Sequence, residues 1–231
     1  MKVSEIFFSI SGEGRNAGIP TVFVRLAGCN LDCTYCDTQY AREGGDELTV
    51  DEVVKKVKVV KKVRGFRESG WCLITGGNPL YQVGDVHKLV QELKDAAYLV
   101  EIEENGSIDP PVWFGIVDSW VTDVKCPSSG PSYGSFRTGW LKKLRKQDSL
   151  KFVVGTQEDL DFVRGFLNNT RLRPTVLVSP VTGILLNKKE GTISEYWNRE
   201  WLQECTEFCK VQNVRLSLQI HKIIYGDKRG V

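Results

Sequence analysis

The sequence predicts an α/β protein whose parallel strands form an open, partial (β/α)6-type barrel. Apolar runs typical of strands alternate with amphipathic helical stretches, and this alternation implies parallel pairing with right-handed crossovers. We count about six such strands, fewer than the eight of a closed barrel. The 231 residues contain no internal repeat and no low-complexity linker. We therefore expect one domain spanning residues 1–231.

The strand predictions come from apolar runs that end at polar or glycine residues. A short β-like run follows Met1, residues 8–15 are predicted to form a loop, and residues 21–27 form a buried strand that leads into a cysteine-rich loop. Further strands are predicted at 71–75, 98–102, 119–124, 150–154, 175–179 and 214–220. Because sites in such sheets lie at the carboxyl ends of the strands, the loops there should share one pocket.

Four helices are predicted between these strands. Valines recur at helical spacing in residues 49–63, where Thr49 and Glu52 fit a capping box. Residues 85–97 and 198–210 are amphipathic, and Thr156 with Asp159 suggests a second capped helix that runs to residue 167.

Composition argues against several classes of protein. The formal net charge is +2, so we expect no general nucleic-acid or membrane partner. No run of about 18 apolar residues is present that could cross a membrane. No signal peptide is apparent at the start of the sequence, and we expect a cytoplasmic protein. In that compartment a tight cysteine cluster indicates a metal or catalytic site rather than disulfides.

Cys29, Cys33 and Cys36 form the most informative motif. Three thiolates at this spacing can hold three irons of a four-iron four-sulfur cube, which leaves one iron open to a substrate or cofactor. The alternative is a partial zinc site or a set of structural thiols, although zinc usually needs a fourth ligand. Neither His87 nor His221 has a neighbourhood that suggests one. Four other cysteines are interpreted as small buried hydrophobic residues: Cys72, Cys126, Cys205 and Cys209.

Three weaker signals lie near predicted strands. The pair Gly76-Gly77 permits close backbone approach to a ligand, or is an ordinary turn. The segment Gly12-Glu13-Gly14 brackets a carboxylate in a loop. Arg25 lies inside an apolar run, where a charge is costly unless paired. Its guanidinium could bind a structural carboxylate or clamp a ligand carboxylate.

Taken together, these motifs resemble the 7-carboxy-7-deazaguanine synthase family of radical S-adenosylmethionine (SAM) enzymes. The resemblance runs nearly end to end and includes Gly12-Glu13-Gly14, the Cys29–Cys36 triplet with its Asp37-Thr38, and Gln219-Ile220-His221-Lys222. The chain departs from the family at three positions. Asn78 replaces the Glu of a Gly-Gly-Glu motif, Ser11 replaces a common Gln, and Asp123-Val124-Lys125 replaces Ser-Pro-Lys.

The resemblance implies a reaction that converts 6-carboxy-5,6,7,8-tetrahydropterin to 7-carboxy-7-deazaguanine with loss of ammonia. It implies a radical SAM barrel, a 4Fe-4S cluster held by Cys29, Cys33 and Cys36, SAM on the open iron, and Mg²⁺ near Thr38. The expected SAM contacts are Tyr35, Cys36, Asp37, Gly77, Asn78, Asp123, Val124, Lys125, Pro180, Val181, Thr182 and Gly183. The expected substrate contacts are Ile10, Ser11, Gly12, Glu13, Arg25, Thr75, Glu103 and Val231.

The resemblance also implies partners, and two alternative functions stay open. A homodimer and a small reductant such as flavodoxin or ferredoxin are expected, and beyond the cofactor ligands we assign no catalytic side chain. Two other classes share the cysteine triplet. A glycyl-radical enzyme activase would act on a protein backbone, and a non-enzymatic iron-sulfur carrier would not respond to SAM.

Overall fold

The protein is described from a computed structural model, which covers residues 1–63, 70–181, 198–226 and 228–231, with the main chain alone at 61–63. In this part of the chain a single nine-stranded sheet forms the centre of the fold. Its strands are β1 (Lys2–Ile10), β2 (Pro20–Leu26), β3 (Asp46–Glu47), β4 (Trp71–Gly76), β5 (Leu99–Glu104), β6 (Ser119–Lys125), β7 (Ser149–Val154), β8 (Thr175–Pro180) and β9 (Arg215–Leu216).

The strands follow the spatial order β3-β1-β2-β4-β5-β6-β7-β8-β9. Every pair from β2 to β9 is parallel, whereas β1 pairs antiparallel with both β2 and β3. Because β3 and β9 lie at opposite edges, the sheet is not closed. The prediction of an open, largely parallel architecture is thus confirmed, and the antiparallel edge is an addition that the sequence pattern did not reveal.

Helices connect the parallel strands in the predicted alternation. They are α1 (Val50–Val63), α2 (Val83–Asp95), α3 (Gly139–Lys143), α4 (Gln157–Asn169), α5 (Arg199–Gln212) and α6 (Ile220–Tyr225). Both capping boxes are confirmed. Glu52 Oε2 accepts from the Thr49 amide at 2.7 Å while the Glu52 amide donates to Thr49 Oγ1 at 3.3 Å, and Thr156 and Asp159 make the reciprocal pair at α4.

The core fills the space between the sheet and its helices. Its largest fully buried side chains include Trp120, Trp140 and Phe152, and the ring centroids of the two tryptophans lie 5.2 Å apart. The four cysteines outside the triplet are buried and free, as predicted. None of the helices in the described ranges is long and apolar enough to cross a membrane.

Two segment predictions were wrong. Residues 8–10 belong to β1, where Phe8 pairs with Val22, so the loop begins only at Ser11. The predicted strand at 214–220 is reduced to the two residues of β9, and α6 begins at Ile220. The alternation of apolar residues there resembles a strand, but the Ile220 amide donates to Gly12 O at 2.8 Å and turns the chain towards the loop after β1.

Candidate active site

The carboxyl ends of the parallel strands surround one cavity of about 570 Å³. The Cys loop follows β2, Gly76-Gly77 ends β4, and Asp123 and Lys125 end β6. A Cβ on Gly76 would lie 2.1 Å from Leu26 O, and one on Gly77 would lie 2.2 Å from Gly28 O. The glycine pair therefore allows the end of β4 to pack closely against the backbone of β2 and the Cys loop, and the predicted approach to a ligand stays a prediction.

The three thiols of the triplet line this cavity together and are all half-buried. Among the described residues, no three His, Cys, Asp or Glu side chains converge tightly enough to hold a single metal ion. Thiolates that bind separate irons of a cube do not need to converge in this way. Three thiols in the lining of one cavity are a donor set that fits an iron-sulfur cluster.

Hydrogen bonds around Cys29 also suit a cluster ligand. Its Sγ accepts from the Leu31 amide at 3.4 Å and from Asn105 Nδ2 at 3.7 Å, and N–H donors to the sulfurs are a common way of tuning such clusters. Burial raises the pKa of the Cys33 thiol. A coordinated metal reverses that effect, because a ligating thiol is deprotonated outright.

A buried lysine joins several carboxylates in the lining of the cavity. Lys151 Nζ, on β7, donates to Glu103 and lies 3.5 Å from Glu13 Oε2 and 3.4 Å from Asp123 Oδ1. Asp123 Oδ2 also accepts from Lys125 Nζ at 2.6 Å. These five side chains line the cavity and form one network of alternating charge.

Charge and burial shift the pKa values in this network in opposite directions. Burial opposes the charged form of Lys151, yet the carboxylates of Asp123, Glu103 and Glu13 raise its pKa well above the usual value. Burial raises the pKa of Glu13 to about 7, against the lowering effect of Lys151. Burial likewise raises the pKa of Glu101, a neighbouring carboxyl in the lining, to about 7.

Arg25 is held by a carboxylate, and its guanidinium still faces the cavity. Its Nε donates to Glu5 Oε1 at 2.7 Å, and the same oxygen accepts from Tyr40 Oη at 2.8 Å. Within the described residues, the two terminal nitrogens of Arg25 make no hydrogen bond. The Arg229 guanidinium lies 3.6 Å from the Tyr40 ring centroid, which places the segment 228–231 beside this pair.

Gly12 allows α6 to pack against the loop after β1. A Cβ at this position would lie 1.8 Å from His221 Nδ1, so any other residue would displace the imidazole. The Gly14 amide donates to Ser217 Oγ at 3.0 Å. Burial lowers the pKa of His221, which lines the cavity. The nearby Gln219 Nε2 donates to Glu13 Oε1 at 3.5 Å and to Asp37 Oδ2 at 3.3 Å.

Most predicted site residues line this one cavity. On the cluster and cofactor side these are Cys29, Cys33, Tyr35, Cys36, Asp37, Thr38, Gly77, Asp123, Lys125, Pro180 and Val181. On the predicted substrate side they are Ile10, Ser11, Gly12, Glu13, Arg25, Thr75, Glu103 and Val231.

Two of the predicted SAM contacts within the described residues are not among those that line the cavity. Asn78 and Val124 lie behind the wall, with 0% and 2% exposure. Val124 alternates with the inward-facing Asp123 and Lys125 on β6, so its side chain packs in the core. Asn78 turns its amide away from the cavity, as described below. Thr182 and Gly183 lie outside the described residues.

Several lining residues were missed by the sequence analysis: Glu5, Tyr40, Glu101, Lys151, His221 and Arg229. Lys151 carried a usable signal, because it interrupts the apolar run of β7 just as Arg25 interrupts that of β2. Glu101 and Glu103 also alternate with apolar residues on β5, a pattern that directs both to one face. Tyr40 and Arg229 lie outside regular strands and carried no comparable pattern.

Comparison with known proteins agrees with this geometry. Residues 23–115 match the family described as the Radical SAM superfamily. A 7-carboxy-7-deazaguanine synthase from Methanospirillum hungatei is 37% identical over 229 residues, covering 97% of this chain and 85% of the relative. One from Thermoplasma acidophilum is 37% identical over the whole of both chains, and one from Clostridium acetobutylicum is 35% identical, covering 100% and 99%.

A solved structure gives the same fold. The crystal structure of QueE from Escherichia coli superimposes with a TM-score of 0.66, covering 94% of this chain and 93% of that one at 20% identity. The radical SAM superfamily implies a 4Fe-4S cluster and SAM, and the cysteine wall of the cavity fits that implication. On the full-length similarity to these relatives, this chain belongs to the 7-carboxy-7-deazaguanine synthase family of radical SAM enzymes.

Proposed function

We propose that this chain converts 6-carboxy-5,6,7,8-tetrahydropterin to 7-carboxy-7-deazaguanine with loss of ammonia, as part of 7-deazapurine biosynthesis. The observation that carries the proposal is a cavity whose lining combines the cysteine triplet with a guanidinium, a lysine and several carboxylates. Bound together, the cluster and SAM supply a hydrogen-abstracting radical. The side chains of this chain bind the substrate beside it and orient it.

Arg25 is proposed to hold the substrate carboxylate. The bond from Nε to Glu5 fixes the plane of the guanidinium, while its two terminal nitrogens remain for a bidentate contact. Glu5 is itself fixed by Tyr40. Arg25 can therefore have both of the roles considered above. Glu5 binds Nε and orients the guanidinium, and the two terminal nitrogens then bind the substrate carboxylate.

The carboxylates around Lys151 are proposed to receive the pterin ring. A pterin presents N–H donors, and carboxylate oxygens accept from them. Lys151 holds Glu13 and Glu103, expected substrate contacts, and also touches Asp123, an expected SAM contact. The lysine therefore fixes the relative position of the two binding regions.

Mg²⁺ is proposed to bind near Thr38. The Thr38 hydroxyl lies 3.8 Å from Cys36 Sγ, and Thr38 lines the same cavity as the three thiols and Arg25. A hydroxyl oxygen is compatible with this hard cation, which keeps several non-protein ligands. A substrate carboxylate is a suitable further ligand.

Arg25→Lys tests the substrate assignment most directly. Reconstituted protein should be incubated anaerobically with the pterin, SAM and a reductant, and the product identified by mass spectrometry. Wild type should form 7-carboxy-7-deazaguanine. Arg25→Lys keeps the charge but loses the fork, so its pterin KM should rise at least tenfold while SAM cleavage without pterin stays unchanged. Cleavage of SAM by wild type with no pterin-derived product would overturn the proposal.

Three further features are proposed on the resemblance to the family. These are a homodimer, a flavodoxin or ferredoxin as the reductant, and one domain spanning residues 1–231, supported by a sheet that includes strands from Lys2 to Leu216. Light scattering coupled to gel filtration tests the dimer. Activity with each purified electron carrier tests the reductant.

A further inference from the structure

The side chain of Asn78 is committed to hydrogen bonds behind the cavity wall. Its Oδ1 accepts from the Leu80 amide at 3.2 Å. Its Nδ2 donates to Asn30 Oδ1 and to Asn105 Oδ1, each at 3.0 Å. Both N–H bonds of the amide are thus used, and the residue is fully buried. Both donors of the amide are committed, and its oxygen is buried with the rest of the side chain, outside the lining of the cavity in which SAM is expected.

Asn105 links Asn78 by hydrogen bonds to Cys29, the first cysteine of the triplet. Its Oδ1 accepts from the Ser107 amide at 3.1 Å as well as from Asn78. Its Nδ2 donates to Asn30 Oδ1 at 3.2 Å and to Cys29 Sγ at 3.7 Å. Backbone N–H groups can only donate, so the Leu80 and Ser107 amides fix which way each side-chain amide points. The Nδ2 of Asn105 must therefore face the sulfur.

We propose that Asn78 is a positioning residue which, through Asn105, holds an N–H donor on the Cys29 sulfur and thereby sets the reduction potential of the cluster. Hydrogen bonds to ligand sulfurs favour the more negative, reduced cluster and so raise its potential. Ligand partners of this kind are part of how a protein tunes a metal site. The inference rests on the cluster chemistry of the proposed function and not on the pterin.

The same geometry explains why an amide suits position 78. A carboxylate there would offer no N–H to Asn30 Oδ1 or Asn105 Oδ1, and it would place its own oxygens against theirs in a fully buried position. Unpaired buried acceptors of this kind are costly. The usual Glu of the family would therefore disrupt this cluster of amides.

The test is an EPR-monitored redox titration of the reconstituted holoenzyme, with Asn78→Ala, Asn105→Ala and the double variant. Asn78→Ala should lower the equilibrium constant for one-electron reduction three- to tenfold, where tenfold is 59 mV. Asn105→Ala should lower it at least as much, and Asn78→Ala should add nothing in the Asn105→Ala background. Asn198→Ala, which removes the cap of α5, is the control and should leave the potential unchanged.

Each other outcome overturns the proposal. An unchanged potential in iron-replete Asn78→Ala would exclude tuning by Asn78. An equal shift with and without Asn105 would exclude action through that residue. If Asn78→Ala loses iron, Asn78→Ser, whose neutral hydroxyl can accept from the Leu80 amide, takes its place. Iron loss in both variants would mean that Asn78 holds the Cys loop and does not tune the sulfur. None of these results depends on whether the pterin is the substrate, so the two proposals fail separately.

Discussion

Glu104→Gln should stabilise the protein, by an amount that grows with pH. The Glu104 side chain lies at the end of β5 in the lining of the cavity, where Oε2 accepts from the Gly106 amide at 2.7 Å and Oε1 has no hydrogen-bond partner among the described residues. Burial raises the pKa of this carboxyl from 4.5 to about 8. Folding at neutral pH must therefore be accompanied by uptake of a proton.

The sign and size of the stability change follow from this raised pKa. A carboxyl whose pKa is higher in the folded state favours folding most below pH 4.5, and its contribution falls as pH rises towards 8. At pH 7 the cost is about 3 kcal/mol, since each unit between 4.5 and 7 contributes about 1.4 kcal/mol. Glutamine is neutral in both states and keeps the acceptor for Gly106, so the variant avoids this cost.

Urea unfolding of the anaerobically reconstituted protein, followed by tryptophan fluorescence, measures the effect. The stability difference between Glu104→Gln and wild type should increase by about 1.4 kcal/mol per pH unit from pH 5 to 7. Glu204→Gln, at an exposed position on α5, is the matched control and should change stability by less than about 0.5 kcal/mol. A difference for Glu104→Gln that does not vary with pH would refute the reasoning.

Three further predictions concern the cavity. Cys33→Ala should lose the cluster and activity together, whereas Cys205→Ala should keep about four irons per chain by iron analysis; iron loss in Cys205→Ala would contradict the ligand assignment. Thr38→Val should blunt the rise in turnover when Mg²⁺ is restored after chelation, and stimulation equal to wild type would rule out this ligand. Lys151→Met should cost about 3–5 kcal/mol in urea unfolding, because three carboxylates lose a buried partner. A cost below 1 kcal/mol would show that the network contributes little to stability.

Strand and helix positions could be predicted where burial alone decides them. The predicted strand at 71–75 corresponds to β4 because its apolar run is enclosed on both faces by the sheet's helices and cavity. Capping boxes can also be predicted from the sequence, since both partners lie within one helical turn. The failure at 214–220 has a tertiary cause, because contacts with Gly12 and Gly14, more than 200 residues away, redirect the chain.

The same distinction between local and tertiary causes applies to the candidate site. Residues with a local sequence signal, such as the cysteine triplet and Arg25, could be predicted and line the cavity. The orientation of the Asn78 side chain could not be predicted from its motif. Its position in the chain marks a SAM contact in the family, but its orientation depends on the Leu80 amide and on two asparagines from separate loops. Those partners cannot be inferred from the spacing of residues 76–78.

The contact between Gly12 and His221 has a consequence for protein synthesis. The Cys loop leaves the ribosome early, and residue 217 follows Cys36 by 181 positions. The loop after β1 obtains its partners on Ser217, Ile220 and His221 only when that later segment has emerged. The thiols are thus synthesised well before these contacts can form, and the loop after β1 can be held by them only after translation has passed residue 221.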